Sequence, residues 1–549
     1  MKLDSKKIID ILARENYVEQ EDLDKAKEYI KTHNVLITDY LLGEGIITKD
    51  LLGQAISESL EVVYADLNTH EPSKKQVLKI PEKLARKLRV VLFAEDKKSI
   101  TITSDDPKQV GLETKLQEIF PKQKIKITFS VSDDIDNAFS HYRKSLATRF
   151  AKIIEGKERI APEILDEIIN DGLTHKASDI HFEPDEDTVT IRFRIDGVLH
   201  EAGVMPKEHY ENILNRIKVQ ARMRIDEHNS AQDGSVRHQI NDTEKVDLRI
   251  SIVPTLDGEK IVIRILAEYV KNLNFSNLGL SIKHQEILEE EARKPFGMIL
   301  VTGPTGSGKT TTLYALLKLL NKPEVNITTI EDPVEYKIPG INQIQINNQT
   351  NLSFAKGLRS IVRQDPDIIL VGEIRDEETA EISVNAALTG HLLLSTFHSN
   401  DAATAIPRLL DMEVEPFLLA STLELVIAQR LARRICEHCR VSINKEDKVI
   451  KKLIKNIDPK LADKISTLYK GKGCNICSDT GYSGRTALYE IIKVSAEMQD
   501  LILQNPSKQQ LWDLAQKQGS VSLFEDGLEK VKSGVTTLEE LMRVSPPSK

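Results

Sequence analysis

The chain has 549 residues, of which 40% are hydrophobic and 29% are charged, with a formal net charge of −9. This length predicts three to four domains, and the composition is that of a globular protein. The acidic balance argues against a dedicated nucleic-acid binder, and the sequence has no run of about 18 apolar residues that would predict a membrane span.

The first part of the chain is predicted to be helical and then mixed α/β. The stretches IIDILA, EDLDKAKEYI, ITDYLLGEGI and KDLLGQAISESL have helical periodicity, whereas RVVLFAEDKKSITITSDDP predicts two strands joined by a turn. Charges interrupt the apolar pattern at the N-terminus, which is therefore not a signal peptide, and we expect a cytosolic protein. The charged residues 143–158 are predicted to be a linker with a helical part.

Two further textures follow along the chain. Between 159 and 270 a helix precedes TVTIRFRIDG and VDLRISIVPTLDGEKIVIRIL, which predict strands ending in Asp-Gly turns. From 271 the strands GMILVTG, NITTIED, DIILVGE and HLLLST are continuous apolar runs. Such runs predict parallel strands covered on both faces. EMQDLILQ, KQQLWDLAQKQG and TLEELMRV predict a helical tail.

The stretch GPTGSGKT stands between a predicted strand and a predicted helix and matches the phosphate-binding loop pattern. Its glycines let backbone N–H groups approach phosphates, and the helix N-terminus adds partial positive charge. Lys309 would reach the β- and γ-phosphates of ATP, and Thr310 would ligate Mg²⁺. The alternative is a glycine turn that binds nothing. The predicted nucleotide-binding residues are Gly303, Pro304, Thr305, Gly306, Ser307, Gly308, Lys309, Thr310 and Thr311.

Two sets of carboxylates follow predicted strands, where the ligand crevice of an α/β sheet lies. IEDPVEY supplies Glu331, Asp332 and Glu335, and GEIRD supplies Glu373 and Asp376. They would lie near Mg²⁺ and the attacking water, although such acids also cap helices or pair with surface lysines.

Two histidines flank the strand that follows the second carboxylate set. His398 is at the carboxyl end of HLLLST, where it could sense the γ-phosphate, and His391 is at the other end. A structural role remains open for both.

The chain has four cysteines, Cys436, Cys439, Cys474 and Cys477, in two C-x-x-C pairs separated by 34 residues. In a reducing compartment this pattern favours one tetrahedral Zn²⁺ over disulfides, and four thiolates leave no open catalytic position. Free thiols, a redox pair or His438 as a ligand are the alternatives. The segment between the pairs is predicted to be a helical excursion that the metal pins at its base.

At this point the chain resembles the secretion-type ATPases, the hexameric motors of type IV pilus assembly and type II secretion. The resemblance covers about 159–490 and depends on ASDIHFEP, IRFRIDGVL, QDG, GPTGSGKTT, IEDPVEY, RQDPDIILVGEIRD, TGHLLLSTFHSNDA and the cysteine pairs. The family commonly has proline before QDG, where this chain has Ala231. This difference falls in a loop and is not expected to affect activity.

The resemblance implies an α/β fold class, with a RecA-like P-loop motor domain on a doubly wound sheet, α+β N-terminal domains and a zinc-binding insertion. It divides the chain into an N-terminal docking domain at 1–142, a linker at 143–158, a PAS-like second N-terminal domain at 159–270, the RecA-like ATPase domain at 271–435, a tetracysteine zinc module at 436–484 and a C-terminal helical part of the motor at 485–549.

The resemblance also implies roles for individual residues. Glu331 and Asp332 match the family's Asp box, and Glu335 is its base for water. Glu373 matches the Walker B acid that holds Mg²⁺ through water, and His398 matches the second histidine of the His box. Arginines from the flanking domain reach the nucleotide in this family. Arg192, Arg194 and Arg249 lie in the matching strands, with surface salt bridges as the alternative.

The expected partners also follow from the resemblance. We expect a homo-hexamer that works with an inner-membrane platform protein, to which the segment between the cysteine pairs is presented, and with a cytosolic adaptor, without direct nucleic-acid binding. Some relatives bind cyclic di-GMP through an R-L-G-x-x-L repeat, which the first 142 residues lack, so we do not expect it here. Pilus assembly is favoured over type II secretion. A retraction motor is disfavoured because such motors lack the extra N-terminal domain and the cysteine pairs. A DNA translocase and a non-hydrolysing nucleotide switch remain as other classes.

Overall fold

The contacts of the computed structural model divide the chain into two compact units. The first comprises Met1–Arg143, Cys436–Val441 and Lys470–Ser483, and the second comprises Lys144–Ile435, Ser442–Tyr469 and Gly484–Lys549. The structure describes residues 5–15, 17–32, 37–43, 46–96, 98–142, 161–240, 245–266, 278–347, 350–443, 453–454, 457, 467–474, 476–477 and 479–547. The predicted linker at 143–158 and most of the predicted helical excursion lie outside these residues.

The first unit begins with a helical part and continues into a small sheet. Its helices are α1 Ser5–Arg14, α2 Gln20–Thr32, α3 Ile37–Gly43, α4 Lys49–Ser59, α5 Lys74–Val77, α6 Glu82–Leu88, α7 Leu112–Ile119 and α8 Ser132–Ala138. The strands β1 Val90–Glu95, β2 Ser99–Ser104 and β3 Lys124–Phe129 lie in sheet order β1-β2-β3. Apolar side chains of these elements form two buried clusters. The helices and strands predicted for this part of the chain are confirmed.

The second unit begins with an antiparallel sheet. Helices α9 Ala161–Thr174 and α10 Lys207–Gln220 contribute apolar residues to the buried cluster of a sheet of order β6-β5-β4-β9-β8-β7. Alternate residues of the strands are buried, as a sheet with one covered face requires. The strands are β4 Asp179–Pro184, β5 Thr188–Ile195, β6 Val198–Pro206, β7 Gln232–Gln239, β8 Lys245–Thr255 and β9 Gly258–Leu266.

A seven-stranded sheet of order β12-β11-β13-β14-β10-β15-β18 carries the phosphate loop. Every residue of β10, β11, β13 and β14 is buried, and the pairs β10–β14, β13–β14 and β11–β13 are parallel. The continuous apolar runs therefore form central parallel strands, as predicted. The strands are β10 Gly297–Thr302, β11 Ile327–Glu331, β12 Asn342–Gln345, β13 Ile368–Val371, β14 Leu392–Phe397, β15 Leu423–Ile435 and β18 Tyr482–Lys493.

Helices cover this sheet and complete the second unit. They are α11 Ile282–Ala292, α12 Lys309–Leu320, α13 Phe354–Ile361, α14 Glu377–Leu388, α15 Ala402–Asp411, α16 Pro416–Thr422, α17 Ala496–Ile502, α18 Lys508–Lys517, α19 Leu523–Lys532 and α20 Leu538–Val544. The short strands β16 Arg440–Ile443 and β17 Leu468–Gly471 form a two-stranded sheet. The predicted α/β class with a doubly wound P-loop sheet is confirmed.

Candidate functional site: a nucleotide crevice and a thiol cluster

The phosphate loop joins the end of β10 to the start of α12. Gly303 and Gly308 have φ of 147° and 86°, in the region that favours glycine. A Cβ on Gly303 would lie 2.5 Å from the carbonyl oxygen of Gln429, so this position has no room for a side chain. The glycines of the loop pattern are thus required by backbone conformation and close approach.

The side chains of the loop fit an anionic ligand. Lys309 Nζ donates hydrogen bonds to the carbonyl oxygens of Gly303 at 2.9 Å and Pro304 at 3.2 Å, and burial lowers the pKa of Lys309. The buried Ser307 Oγ has no hydrogen-bond partner among the described residues. A bound phosphate group could therefore accept hydrogen bonds from the Lys309 ammonium and from the Ser307 hydroxyl.

Glu331, the last residue of β11, is a buried carboxylate with three donors. It accepts hydrogen bonds from the Tyr314 hydroxyl, from Thr329 Oγ1 at 2.6 Å and from Gln343 Nε2 at 3.3 Å. Burial raises its pKa, although these hydrogen bonds act in the opposite direction. The structure therefore places Glu331 within a hydrogen-bond network at the start of the turn 331–335, which we call the acidic turn. Asp332 is exposed on that turn.

Glu335 lies on the same turn and contacts the antiparallel sheet of the second unit. Arg249 Nη1 lies 3.3 Å from Glu335 Oε2, and Arg249 Nη2 donates a hydrogen bond to the carbonyl oxygen of Val334. The backbone N–H of Glu335 donates to the Tyr314 hydroxyl at 3.3 Å. Tyr314 thus joins Glu331 to Glu335. The sequence reasoning missed this tyrosine, whose only signal was its place on the helix after the phosphate loop.

The other two predicted arginines have their partners within the antiparallel sheet. Arg192 pairs with Glu183, and Arg194 lies 3.7 Å from Asp179 and donates to the carbonyl oxygen of Gly197 at 3.1 Å. Of the three arginines, Arg249 alone contacts the acidic turn in the described part of the chain.

Glu373 and His398 come together beyond the ends of β13 and β14. His398 Nε2 lies 3.2 Å from Glu373 Oε2, and Arg375 Nη2 lies 2.5 Å from Glu373 Oε1. The charge of Glu373 also acts on the ammonium of Lys309. Arg375, within GEIRD, thus pairs with a predicted site residue, although the sequence patterns did not single it out.

The two remaining candidates have structural partners. His391 Nδ1 lies 2.8 Å from the carbonyl oxygen of Ala386, and the His391 carbonyl accepts from Gly297 N–H at the beginning of β10. His391 is thus at the edge of the sheet opposite the phosphate loop, roughly 20 Å away along β14. Asp376 accepts from Thr379 N–H at 2.8 Å and caps α14, the helix-cap alternative left open for these acids.

The four cysteine sulfurs form a compact cluster within 4.8 Å of one another. The distances are 3.8 Å for Cys436–Cys474, 3.9 Å for Cys439–Cys477 and 3.7 Å for Cys474–Cys477. Four sulfurs about 2.3 Å from a tetrahedral Zn²⁺ would be about 3.8 Å apart, whereas a disulfide requires about 2.05 Å. The cluster is therefore compatible with zinc. His438 does not belong to it and instead bonds to Asn137, with 2.8 Å between Nε2 and Nδ2.

The chain resembles known proteins over nearly its whole length. A family model for Type II/IV secretion system protein matches residues 154–543, and a model for the MshEN domain matches 60–149. The type IV pilus assembly ATPase PilB of Myxococcus xanthus is 36% identical over 98% of this chain and 99% of its own length. PilB of Thermus thermophilus is 38% identical over 92% of this chain, which spans 58% of that relative.

A secretion protein and a solved structure are also similar. The type II secretion system protein E of Pseudomonas aeruginosa is 45% identical over 70% of this chain and 75% of its own length. The X-ray structure of the Legionella pneumophila ATPase DotB matches 70% of this chain and 96% of its own, with a TM-score of 0.53 and 20% identity. The likeness to that structure shows the fold alone. In the described part of the chain, no helix is long and apolar enough to cross a membrane.

Proposed function

The chain belongs to the family of type II/IV secretion system proteins and is an ATP-hydrolysing motor of that family, and we propose that it powers the assembly of type IV pili. In this proposal six copies form a ring at the cytoplasmic face of the inner membrane. Each cycle moves a membrane platform protein, which adds pilin subunits to a fibre. The platform protein and a cytosolic adaptor would dock on residues 1–142, while nucleic acid and cyclic di-GMP are not expected ligands.

One observation carries the hydrolytic part of this proposal, namely the meeting of Lys309, Glu373 and His398 at one edge of the parallel sheet. β10, β13 and β14 are adjacent in that sheet and run in the same direction, so the residues after each strand share one crevice. Glu331 and the turn to Glu335 follow the neighbouring β11. A cationic loop facing carboxylates and a histidine is the composition that phosphoryl transfer to water uses.

The residues divide the chemistry among them. Loop N–H groups and Lys309 would hold the phosphates, for which the Lys309 ammonium would leave its bond to the Gly303 carbonyl. Thr310 and Glu373 would hold Mg²⁺, which neutralises charge on the phosphates when bound. His398, next to Glu373, would contact the γ-phosphate end of the crevice.

Glu335 would accept the proton of the attacking water. Its carboxylate is paired with Arg249, so this guanidinium would have to move away before Glu335 can accept a proton. A shift of Arg249 from Glu335 to phosphate charge would free the base and stabilise the transition state in one movement. Hydrolysis would then depend on movement of the antiparallel sheet, as a motor requires.

Pilus assembly is favoured over type II secretion by the extent of the alignments. The Myxococcus PilB aligns with 98% of this chain and therefore includes its N-terminal region, whereas the Pseudomonas type II protein aligns with 70%. The higher identity of the latter favours the shared motor activity. Restoration of surface fibres in a pilus-assembly mutant would support this assignment, and restored protein export without fibres would contradict it.

The four thiols are proposed to hold one structural Zn²⁺. Backbone N–H groups of Cys474 and Gly481 each lie 3.2 Å from Cys477 Sγ, as donors to a thiolate would. All four ligand positions would be filled by sulfur, which leaves the ion no catalytic role.

ATP hydrolysis by the purified chain tests the hydrolytic part of the proposal. Lys309→Ala and Glu373→Ala should each abolish Mg²⁺-dependent phosphate release. The first removes the ammonium group that would bind the phosphates, and the second removes the carboxylate that would hold Mg²⁺. His391→Ala is the control, since His391 is at the far edge of the sheet, and it should keep the wild-type rate. Undiminished turnover in Lys309→Ala and Glu373→Ala would refute the proposal.

A further inference from the structure

Two short segments that carry the cysteines pack with the N-terminal part of the chain. Cys436–Val441 and Lys470–Ser483, which we call the knuckle, belong to the same compact unit as Met1–Arg143. The knuckle is more than 290 residues distant from that region in sequence. Contacts between the knuckle and the N-terminal region therefore join parts of the chain that are far apart in sequence.

A single turn of the knuckle provides these contacts. His438 Nε2 lies 2.8 Å from Asn137 Nδ2 on α8, and Glu437 Oε2 lies 3.6 Å from Lys49 Nζ on α4. Lys49 Nζ also lies 2.9 Å from Asp133 on α8. Two adjacent residues of one turn thus engage two helices that Lys49 itself ties together.

The thiol cluster holds this turn in place. Glu437–Cys439 is one 3₁₀ turn between two clustered cysteines, and Cys439 N–H donates to the Cys436 carbonyl at 3.3 Å. Lys472 N–H donates to the Cys439 carbonyl at 3.0 Å, and Cys436 N–H to the Gly481 carbonyl at 3.0 Å. The directions of Glu437 and His438 therefore depend on the four sulfurs staying together.

The contacts are of a kind that forms and breaks readily. The side chains of Lys49, Asp133 and Glu437 are 42%, 68% and 53% exposed, and ion pairs exposed to this degree contribute little individually. Both partners belong to one chain, however, so the effective concentration of one for the other is high without a large interface. Weak polar contacts can then hold the closed state while leaving it releasable.

We propose that the knuckle is a metal-dependent latch for the N-terminal region of its own chain. Glu437 and His438 dock on α4 and α8 when the sulfurs are held together, and the latch opens when they separate. The metal dependence rests on the proposed zinc site. The platform-facing role expected for the segment between the cysteine pairs stays a prediction, because most of that segment lies outside the described residues.

Hydrogen exchange in the nucleotide-free, full-length protein tests the latch. Glu437→Lys places a cation opposite Lys49, and His438→Ala removes the partner of Asn137. We expect each to speed amide exchange in α4 and α8 several-fold while exchange in β10–β15 stays unchanged. Glu113→Lys, a charge reversal on the exposed face of α7, is the matched control and should leave α4 and α8 as in wild type.

The zinc content of each variant, measured by mass spectrometry, separates loss of the latch from loss of the knuckle. Asn137→Ala, on the helix side of the contact, should speed exchange as His438→Ala does with full zinc retained, and the double variant should add nothing further. Metal removal by a chelator, or Cys474→Ser, should give the same exchange pattern. Unchanged exchange in Asn137→Ala and Glu437→Lys would overturn the latch, and a metal-free protein with full protection would overturn its metal dependence. Because no nucleotide is present, neither result depends on ATP hydrolysis.

Discussion

Arg249 is the residue through which the antiparallel sheet of the second unit contacts the acidic turn. One guanidinium nitrogen contacts the Glu335 carboxylate and another donates to the Val334 carbonyl. The position of Arg249 therefore depends on both the charge and the backbone of that turn. Arg192 and Arg194 lie on a different strand of the same sheet and are paired locally. Chemistry that needs an arginine at the acidic turn should therefore depend on one of the three.

Arg249→Ala should lower kcat for ATP hydrolysis by about 10³-fold, the lower end of what an arginine at transferring phosphate contributes. Arg192→Ala should keep kcat within a few-fold, because its guanidinium pairs with Glu183. Steady-state phosphate release with ATP affinity measured in parallel checks both. Equal loss of kcat in the two variants would mean that the sheet as a whole matters, and not the Arg249 contact.

The Tyr314 hydroxyl hydrogen-bonds to both Glu331 and Glu335. Tyr314→Phe would leave the buried Glu331 without one donor and the Glu335 N–H without its acceptor. A lost buried partner costs about 1–3 kcal/mol, so the urea midpoint of the motor should fall. Tyr336→Phe is the control, because the Tyr336 ring packs edge-on against the Tyr314 ring with 4.7 Å between their centroids. Its urea midpoint should fall less. A larger loss in Tyr336→Phe would contradict this assignment.

At the scale of elements, one buried carboxylate fastens the last helix to the sheet. Glu540 on α20 accepts from Arg433 N–H at 3.0 Å and Arg433 Nη2 at 2.9 Å, and Arg543 lies 2.6 Å away. Burial acts to raise the pKa of Glu540, but the hydrogen bonds from Arg543 and Arg433 outweigh it and lower the pKa to about 2. The ionised form thus ties α20 to β15.

The stabilisation from Glu540 should depend on pH in a defined direction. A depressed pKa gives stability that is complete above the unfolded value of about 4.3 and lost as pH falls towards about 2. Glu540→Gln should therefore destabilise the protein by about 3 kcal/mol at pH 7, and the difference from wild type should shrink below about pH 4. Glu539→Gln is the control. A difference that grows on acidification would contradict this view of Glu540.

The histidines beside β14 show how far an element can be assigned from sequence. HLLLST predicts a buried strand, which the structure confirms as Leu392–Phe397. Because residues at opposite ends of a parallel strand lie at opposite edges of the sheet, the strand assignment alone separates His398 from His391. The partner of His398 is Glu373, and the partner of His391 is the Ala386 carbonyl. Periodicity predicts neither contact, because both partners lie outside the strand.

At the scale of the whole molecule, apolar periodicity predicted the central strands and the helices at the two ends of the chain, but it did not single out helices such as Glu377–Leu388 and Ala402–Asp411. It did not predict Leu423–Ile435 and Tyr482–Lys493, where arginines such as Arg430, Arg433 and Arg485 interrupt the apolar pattern. The motifs and their places after predicted strands indicated that Lys309, Glu373 and His398 lie at one edge of the sheet. They could not identify the supporting contacts of Tyr314 or the packing of the knuckle with the N-terminal region, because both depend on tertiary structure.

Glu335, held beside Arg249, is proposed to be the base for ATP hydrolysis. The most direct measurement is single-turnover hydrolysis by Glu335→Gln together with its affinity for ATP. We expect unchanged ATP binding and a rate of hydrolysis about 10²- to 10⁴-fold below wild type, the usual contribution of a general base. Wild-type hydrolysis by Glu335→Gln at saturating ATP would contradict this role of Glu335.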